Sequence, residues 1–413
     1  MMIMCRNILI FVFSLFCISC AKAETLYTKQ NLPVKPKGKI NVELALKNAV
    51  HQYLYMRDKL SGSAAFPKTY DANKKLLETS DSEWWCSGFY PGTLFYLYEA
   101  TGNDDLYREG VRMLKLLESE QYNSDTHDVG FMMYCSFGNA NRIAPQTDYK
   151  DILVNSARSL MTRFSPIVGC IKSHNRKPND YIVIIDNIMN LELLFWAAET
   201  TGDSSFYDVA VKHADTTIKN HFRPDNSLYH GLNYDPKTGK IKQYQAGQGA
   251  SDKSAWARGQ AWGLYGFTMM YRFTKDEKYL DQAMKVADFM LNHPSMPKDL
   301  IPYWDFNAPN IPKALRDASA AAITSSGLLE LCLYVKGEKQ QTYLNAAENI
   351  LKVLASPAYT APENTNGGFI LKHSVGNMPA KKEIDVPLSY TDYYYVEALC
   401  RYKALQDDKK NGL

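Results

Sequence analysis

Two carboxylates sit in settings that could move a proton. Asp128 lies in His127-Asp128-Val129-Gly130-Phe131, where an imidazole and a carboxylate are neighbours beside a glycine. Such a loop can bring both groups to one spot, although a turn Asp bonded to its own backbone would read the same way. Asp186 follows four aliphatic residues and opens a helical stretch with Ile188, Leu191, Phe195 and Ala198 on one side. An Asp stripped of water in that setting has a raised pKa, which suits a general acid near neutrality. An Asp that caps the helix is bonded by backbone N–H groups and its pKa falls. The pattern is compatible with both outcomes.

Arg258 and Trp262, in Trp256-Ala-Arg258-Gly-Gln-Ala-Trp262-Gly, are one helical turn apart. A guanidinium beside an indole can hold a sugar carboxylate or hydroxyls while the ring stacks; packing of the cation on the ring gives the same spacing. Trp84-Trp-Cys-Ser-Gly-Phe-Tyr-Pro-Gly reads as an aromatic cleft wall or as a core pair before a helix. His230, in Tyr229-His-Gly, and Gln248, in a Gly-flanked loop, are further pieces. The eight His show no H-x-x-x-H or H-E-x-x-H spacing, so no metal is expected. No glycine-rich phosphate loop or G-x-S-x-G elbow is present, and no cofactor is called for.

These residues need a scaffold, and composition narrows it. The chain has 413 residues, 46% hydrophobic and 22% charged, which is globular and excludes a disordered chain. Its 47 basic against 44 acidic side chains give a net charge of +3, and the basic residues are dispersed. Nucleic acid is therefore not an expected partner, and an acidic ligand needs a local cationic site. One pattern recurs: Tyr98-Glu-Ala-Thr-Gly102, Ala198-Glu-Thr-Thr-Gly202, Tyr271-Arg-Phe-Thr-Lys-Asp and Tyr334-Val-Lys-Gly337 each precede a helical run. Each reads as a helix end, a Gly or Asp turn and a new helix. The second helices carry apolar stripes, such as Leu280, Ala283, Val286, Ala287 and Met290. Unequally spaced helix hairpins favour one closed α/α toroid over residues 40–405, with a linker at 24–39 and a frayed polar tail at 406–413.

Arg6 and the apolar run Ile8 to Ile18 read as an export signal, too short to span a bilayer. Ala21-Lys22-Ala23 offers a cleavage site before Glu24; Cys17-Ile-Ser-Cys20 loosely resembles a lipobox with Cys20 as the lipid anchor. Either exit places the mature protein in a bacterial periplasm or at the envelope, and no later segment is apolar enough to span. Cys86, Cys135, Cys170, Cys332 and Cys400 lack C-x-x-C spacing and read as small buried hydrophobes.

Taken in order, W-x-S-G-F-x-P-G, H-D-x-G-F, D-N-x-M-N-L, W-A-R-G-Q-A-W-G, P-Y-W-D-F and Y-x-D-Y-Y-x-x-E-A span Trp84 to Arg401. Together they resemble glycoside hydrolase family 88, the unsaturated glucuronyl hydrolases. The resemblance implies an all-α, single-domain (α/α)6 toroid and a small acidic oligosaccharide substrate. It implies removal of a 4,5-unsaturated uronic acid by hydration of its vinyl ether. Asp186 then matches the acid/base and Asp128 the second carboxylate, while His127, His230, Gln248, Arg258, Trp262, Trp84 and Ser374 fall at substrate-binding positions. The S-x-x-S-x-K motif with which some members read sulfate is replaced by Ser374-Val-Gly-Asn-Met-Pro. Oligomeric state is left open. The alternatives are an unsaturated rhamnogalacturonyl hydrolase, a glycan-binding lipoprotein and a His-based sugar epimerase.

Overall fold

The computed structural model describes residues 38–175 and 179–410. The export signal and most of the 24–39 linker lie outside the described residues. The chain runs through α1 (Val42–Lys59), the hairpin β1 (Phe66–Asp71) and β2 (Leu76–Ser80), α2 (Phe89–Thr101) and α3 (Asp104–Leu117). A π-helix (Gly130–Gly138) continues into α4 (Asn139–Ile143), followed by α5 (Thr147–Met161), β3 (Phe164–Ser165) and β4 (Cys170–Ile171). Next come β5 (Tyr181–Ile184), a 3-10 helix (Ile185–Asn190), α6 (Leu191–Thr201), α7 (Ser204–His221), β6 (Gly231–Tyr234) and β7 (Ile241–Gln245). The rest is α8 (Ala257–Thr274), α9 (Glu277–Asn292), α10 (Ala318–Leu331), α11 (Gly337–Leu354), β8 (Ser374–Asn377), β9 (Lys382–Val386) and α12 (Ser389–Lys410).

Burial sorts the helices into two layers. Every residue of α10 is buried, as is α8 from Ala257 to Met270. By contrast, α9 buries one stripe, Tyr279, Leu280, Gln282, Ala283, Val286, Ala287 and Met290. A helix apolar all round belongs inside, and one with a single stripe belongs on the shell. The inner helices α2, π/α4, α6, α8, α10 and α12 pack in succession, and α12 returns to α2 to close the ring. The outer layer is α1, α3, α5, α7, α9 and α11. This is the expected all-α (α/α)6 toroid.

The recurring turns work as their residues suggest. Gly102 and Gly202 take left-handed φ values of 70° and 74° and end α2 and α6. Asn103, Asp203 and Asp276 then accept backbone N–H bonds to start α3, α7 and α9. This hairpin geometry turns each chain segment back on itself, so inner helices all run the same way. Their N-terminal ends gather at one mouth of the ring, where the partial positive charge of each helix favours an anion.

One correction and one addition follow. Residues 406–410 continue α12 as helix, where a frayed tail was expected. Among the described residues, nine short strands form four small sheets, of which the three-stranded sheet β5-β6-β7 is the largest. Their short runs are too brief for alternation to register in a sequence dominated by helical spacing. Cys86, Cys135, Cys170 and Cys332 are buried and Cys400 is partly buried. Among the described residues no helix is long and apolar enough to cross a membrane.

Candidate active site

A cleft of about 410 Å³ opens at the helix N-termini. Trp84, Trp85, His127, Asp128, Asp186, Gln248, Arg258, Gly376 and Tyr390 are among its walls. Asp128 stands just before the π-helix and Asp186 in the 3-10 turn that feeds α6. Asn190 ties the two segments together. Its Oδ1 accepts the Phe131 N–H at 2.8 Å and its Nδ2 donates to the Asp186 carbonyl at 3.3 Å. Gly130 permits this approach: a Cβ there would stand 2.6 Å from the Asn190 Cα. Asn190→Ala strands a buried N–H and is expected to lose about 1–3 kcal/mol of stability, read as a lower denaturant midpoint at unchanged slope.

Hydrogen-bond partners fix where the protons are. His230 Nδ1 accepts the Gln248 N–H at 2.8 Å, so in neutral His230 the hydrogen is on Nε2. That atom lies 3.4 Å from Asp186 Oδ2, a long contact, more electrostatic than a formed hydrogen bond. His127 is the mirror case. Its Nδ1 faces the Ser173 carbonyl at 3.2 Å and must donate, which leaves a lone pair on Nε2. Asp128 Oδ1 stands 3.2 Å from that lone pair. Two acceptors do not face each other comfortably without a positive charge between them, so Asp128 is the carboxyl suited to carry a proton.

The electrostatics agree. Burial pushes Asp128 up to about 6, against the pull of His174 and Thr126. Burial also pushes His127 down to about 4, so it is neutral near pH 7. For Asp186, burial acts upward but is outweighed by His230, with His127 and Arg258 behind it, and its pKa falls below the ordinary value. Of the two outcomes that the sequence left open for Asp186, the lowered pKa holds, though not through capping. Asn187 Oδ1, rather than Asp186, accepts the Ile184 N–H at 3.1 Å.

Arg258 anchors the far wall. It donates to Val375 O at 2.6 Å, Gly376 O at 2.7 Å and Gln248 Oε1 at 2.6 Å, and pairs with Asp317 at 3.3 Å. The β8-β9 hairpin is thereby pinned over the cleft. Trp84 stands at the rim, 36% exposed, with Lys68 Nζ 4.5 Å above its ring. Three expected binding residues do not line the cleft; one of them, His230, touches it only through its contact with Asp186. Trp262 is wholly buried between Phe131 and Tyr394, at centroid distances of 5.2 and 5.3 Å. Ser374 is buried and bonded to Thr391 at 2.8 Å, so its neighbours Gly376 and Asn377 reach the cleft instead. Helical spacing placed Trp262 on the Arg258 face, but that face turns into the ring core one turn further on.

Residues 62–403 match the model of Glycosyl Hydrolase Family 88. The chain belongs to glycosyl hydrolase family 88. It is 45% identical over 348 residues to an unsaturated glucuronyl hydrolase of Formosa agariphila, covering 83% of this chain and 86% of that protein. An unsaturated chondroitin disaccharide hydrolase of Streptococcus pneumoniae is 30% identical over 371 residues, 88% and 92% of the two chains. The crystal structure of an unsaturated glucuronyl hydrolase specific for heparin aligns at a TM-score of 0.85 with 44% identity, covering 88% of this chain and 98% of that one.

The family 88 cleft also contains residues that the sequence did not point to. Lys68, His174, Lys382 and Glu383 line it from loops and hairpins with no recognisable spacing. Trp85 and Tyr390, whose rings meet at 4.9 Å, were within reach, since each sits in a quoted motif. A second cavity of about 360 Å³ lies further along the inner helices. Its Arg272 and Arg401 are already paired with Glu192, Glu330 and Glu397, which marks it as structural packing.

Proposed function

We propose that this family 88 glycosidase removes a 4,5-unsaturated uronic acid from the non-reducing end of glycosaminoglycan fragments. The observation that carries the reading is one cleft holding two buried carboxylates of opposite proton affinity, each facing its own histidine. Hydration of a vinyl ether needs one proton placed on carbon and one water. In this scheme Asp186 gives a proton to C4 while water adds at C5 and returns its own proton to the carboxylate pair. The resulting hemiketal opens and releases the remaining sugar. Asp128 holds the pair's proton in the free protein. The substrate's carboxylate, arriving beside the pair, raises the proton affinity of Asp186. The inner-helix N-termini and Arg258 offset the substrate's charge.

The test is incubation with unsaturated heparin, chondroitin and pectin disaccharides while following absorbance near ~235 nm, which reports the conjugated double bond. Absorbance lost only from pectin fragments would overturn the reading in favour of a rhamnogalacturonyl hydrolase. Greater identity to the heparin-specific structure than to the chondroitin hydrolase supports heparin disaccharides as the preferred substrate.

A pH dependence follows with a definite sign. Asp128 keeps its proton up to about pH 6. Because the pair must hold a proton when the reaction starts, kcat/KM should fall as pH rises through that value, tending to tenfold per unit. A profile of kcat/KM that rises through pH 6 would contradict the assignment.

Export is the remaining element of the proposal, supported by Arg6, the run Ile8 to Ile18 and the two exits at Cys20 and Ala23. Mass spectrometry of the mature N-terminus distinguishes a lipid on Cys20 from a free Glu24.

A further inference from the structure

The pairing of His127 with Asp128 leaves a small, well-built space for positive charge. His127 is 1% exposed, and its Nε2 is buried without a hydrogen-bond partner. The Nδ1 bond to the Ser173 carbonyl holds the ring with that lone pair turned toward Asp128 Oδ1, 3.2 Å away. Thr126 Oγ1 holds the other carboxylate oxygen at 2.7 Å, so Oδ1 is the oxygen left to the space. His174 closes the group: one ligand atom from each of His127, Asp128 and His174 lies within 4.8 Å of the others.

We propose that His127, Asp128 and His174 bind a divalent cation of the zinc class, and that the bound cation inhibits the hydrolase. Two imidazoles and one carboxylate suit zinc, cobalt or nickel rather than calcium or magnesium, which prefer all-oxygen shells. Zinc bonds to nitrogen and oxygen of about 2.0–2.2 Å need the three atoms to draw together modestly. His174 can supply that movement, since it is only half-buried and sits on a loop bridged to Thr126. The Ser173 carbonyl and Thr126 hydroxyl are the outer partners that orient metal ligands in general. The cleft leaves a fourth position open to water. A cation there ties up the Asp128 carboxylate and sits in the cleft that the substrate must enter. The inhibitory consequence rests on the hydrolase reading, whereas the binding does not.

The test is dialysis of the full chain against Zn²⁺ at neutral pH, with turnover of an unsaturated disaccharide measured before and after chelation. One equivalent should bind at micromolar concentration, and EDTA should restore activity. Both His174→Asn and Asp128→Asn should weaken Zn²⁺ binding at least about tenfold. Cobalt tests the same ligands without a substitution: the Co²⁺-loaded chain should show the intense visible bands of a four- or five-coordinate site with nitrogen ligands. Equal Zn²⁺ affinity in the wild type and His174→Asn, absence of stoichiometric binding, or a weak octahedral cobalt spectrum each overturns the proposal. Because dialysis and the cobalt spectrum do not use turnover, a chain that binds zinc but hydrolyses nothing would sink the hydrolase reading and leave the site standing.

Discussion

Asp186→Asn is expected to lower turnover roughly a hundred- to ten-thousand-fold, the range that a positioned general acid supplies. The amide has the same shape and can still meet His230 Nε2 through its oxygen, so the cleft should keep its form. It cannot release a proton to carbon at any useful rate. Affinity for the disaccharide, measured by calorimetry, should change by only a few-fold, because the ligand's carboxylate and rings meet other walls. Loss of one buried negative charge beside the anionic substrate should even favour binding slightly. Turnover within tenfold of wild type would transfer the acid role elsewhere, with Asp128 first in line because it holds the proton in the free protein.

Arg258→Met should have the largest effect on stability. The guanidinium is 2% exposed and Asp317 is 0% exposed. Asp317 also caps α10, accepting from the Ser319 N–H at 3.0 Å and the Val375 N–H at 3.2 Å. Methionine fills much of the space but leaves that carboxylate buried without its cation. Breaking one side of a buried ion pair costs about 3–5 kcal/mol, and here two hairpin carbonyls also lose their donor. Chemical denaturation should show the loss, and hydrogen exchange should show faster opening at Val375 and Gly376 than at α10. Adding Asp317→Asn should return part of the stability, since it removes the stranded charge. A double variant no more stable than Arg258→Met would mean that the hairpin contacts, rather than the charge pair, dominate.

How much of this was readable beforehand depends on the range of the interaction. The helix hairpins were legible because Gly102 and Gly202 end helices locally, whatever lies across the ring. The carboxylates were legible as candidates because Asp128 and Asp186 stand at abrupt changes of pattern. Their proton affinities were not, since the group that lowers Asp186 is His230, 44 positions away in sequence and reached through the β5-β6 pairing. His174 was invisible for a related reason. Metal-ligand spacing is a property of one helix or one turn, and this imidazole meets His127 and Asp128 only because a loop crosses back at Thr126. Trp262 shows the opposite failure: its local spacing was read correctly, but a helix face buried along its whole length presents only its first turn to the cleft.

The closing contact between α2 and α12 governs how the molecule comes into being. Tyr96 on α2 bonds Glu397 on α12, and Thr69 bonds the Pro387 carbonyl, across 301 and 318 positions of chain. Tyr390, one wall of the cleft, belongs to that last helix. A nascent polypeptide therefore has no working pocket until α12 has left the ribosome. Contacts of such long reach slow the final step of assembly, and a chain shortened by its last helix would be left as an open arc of hairpins with its apolar inner face exposed to solvent.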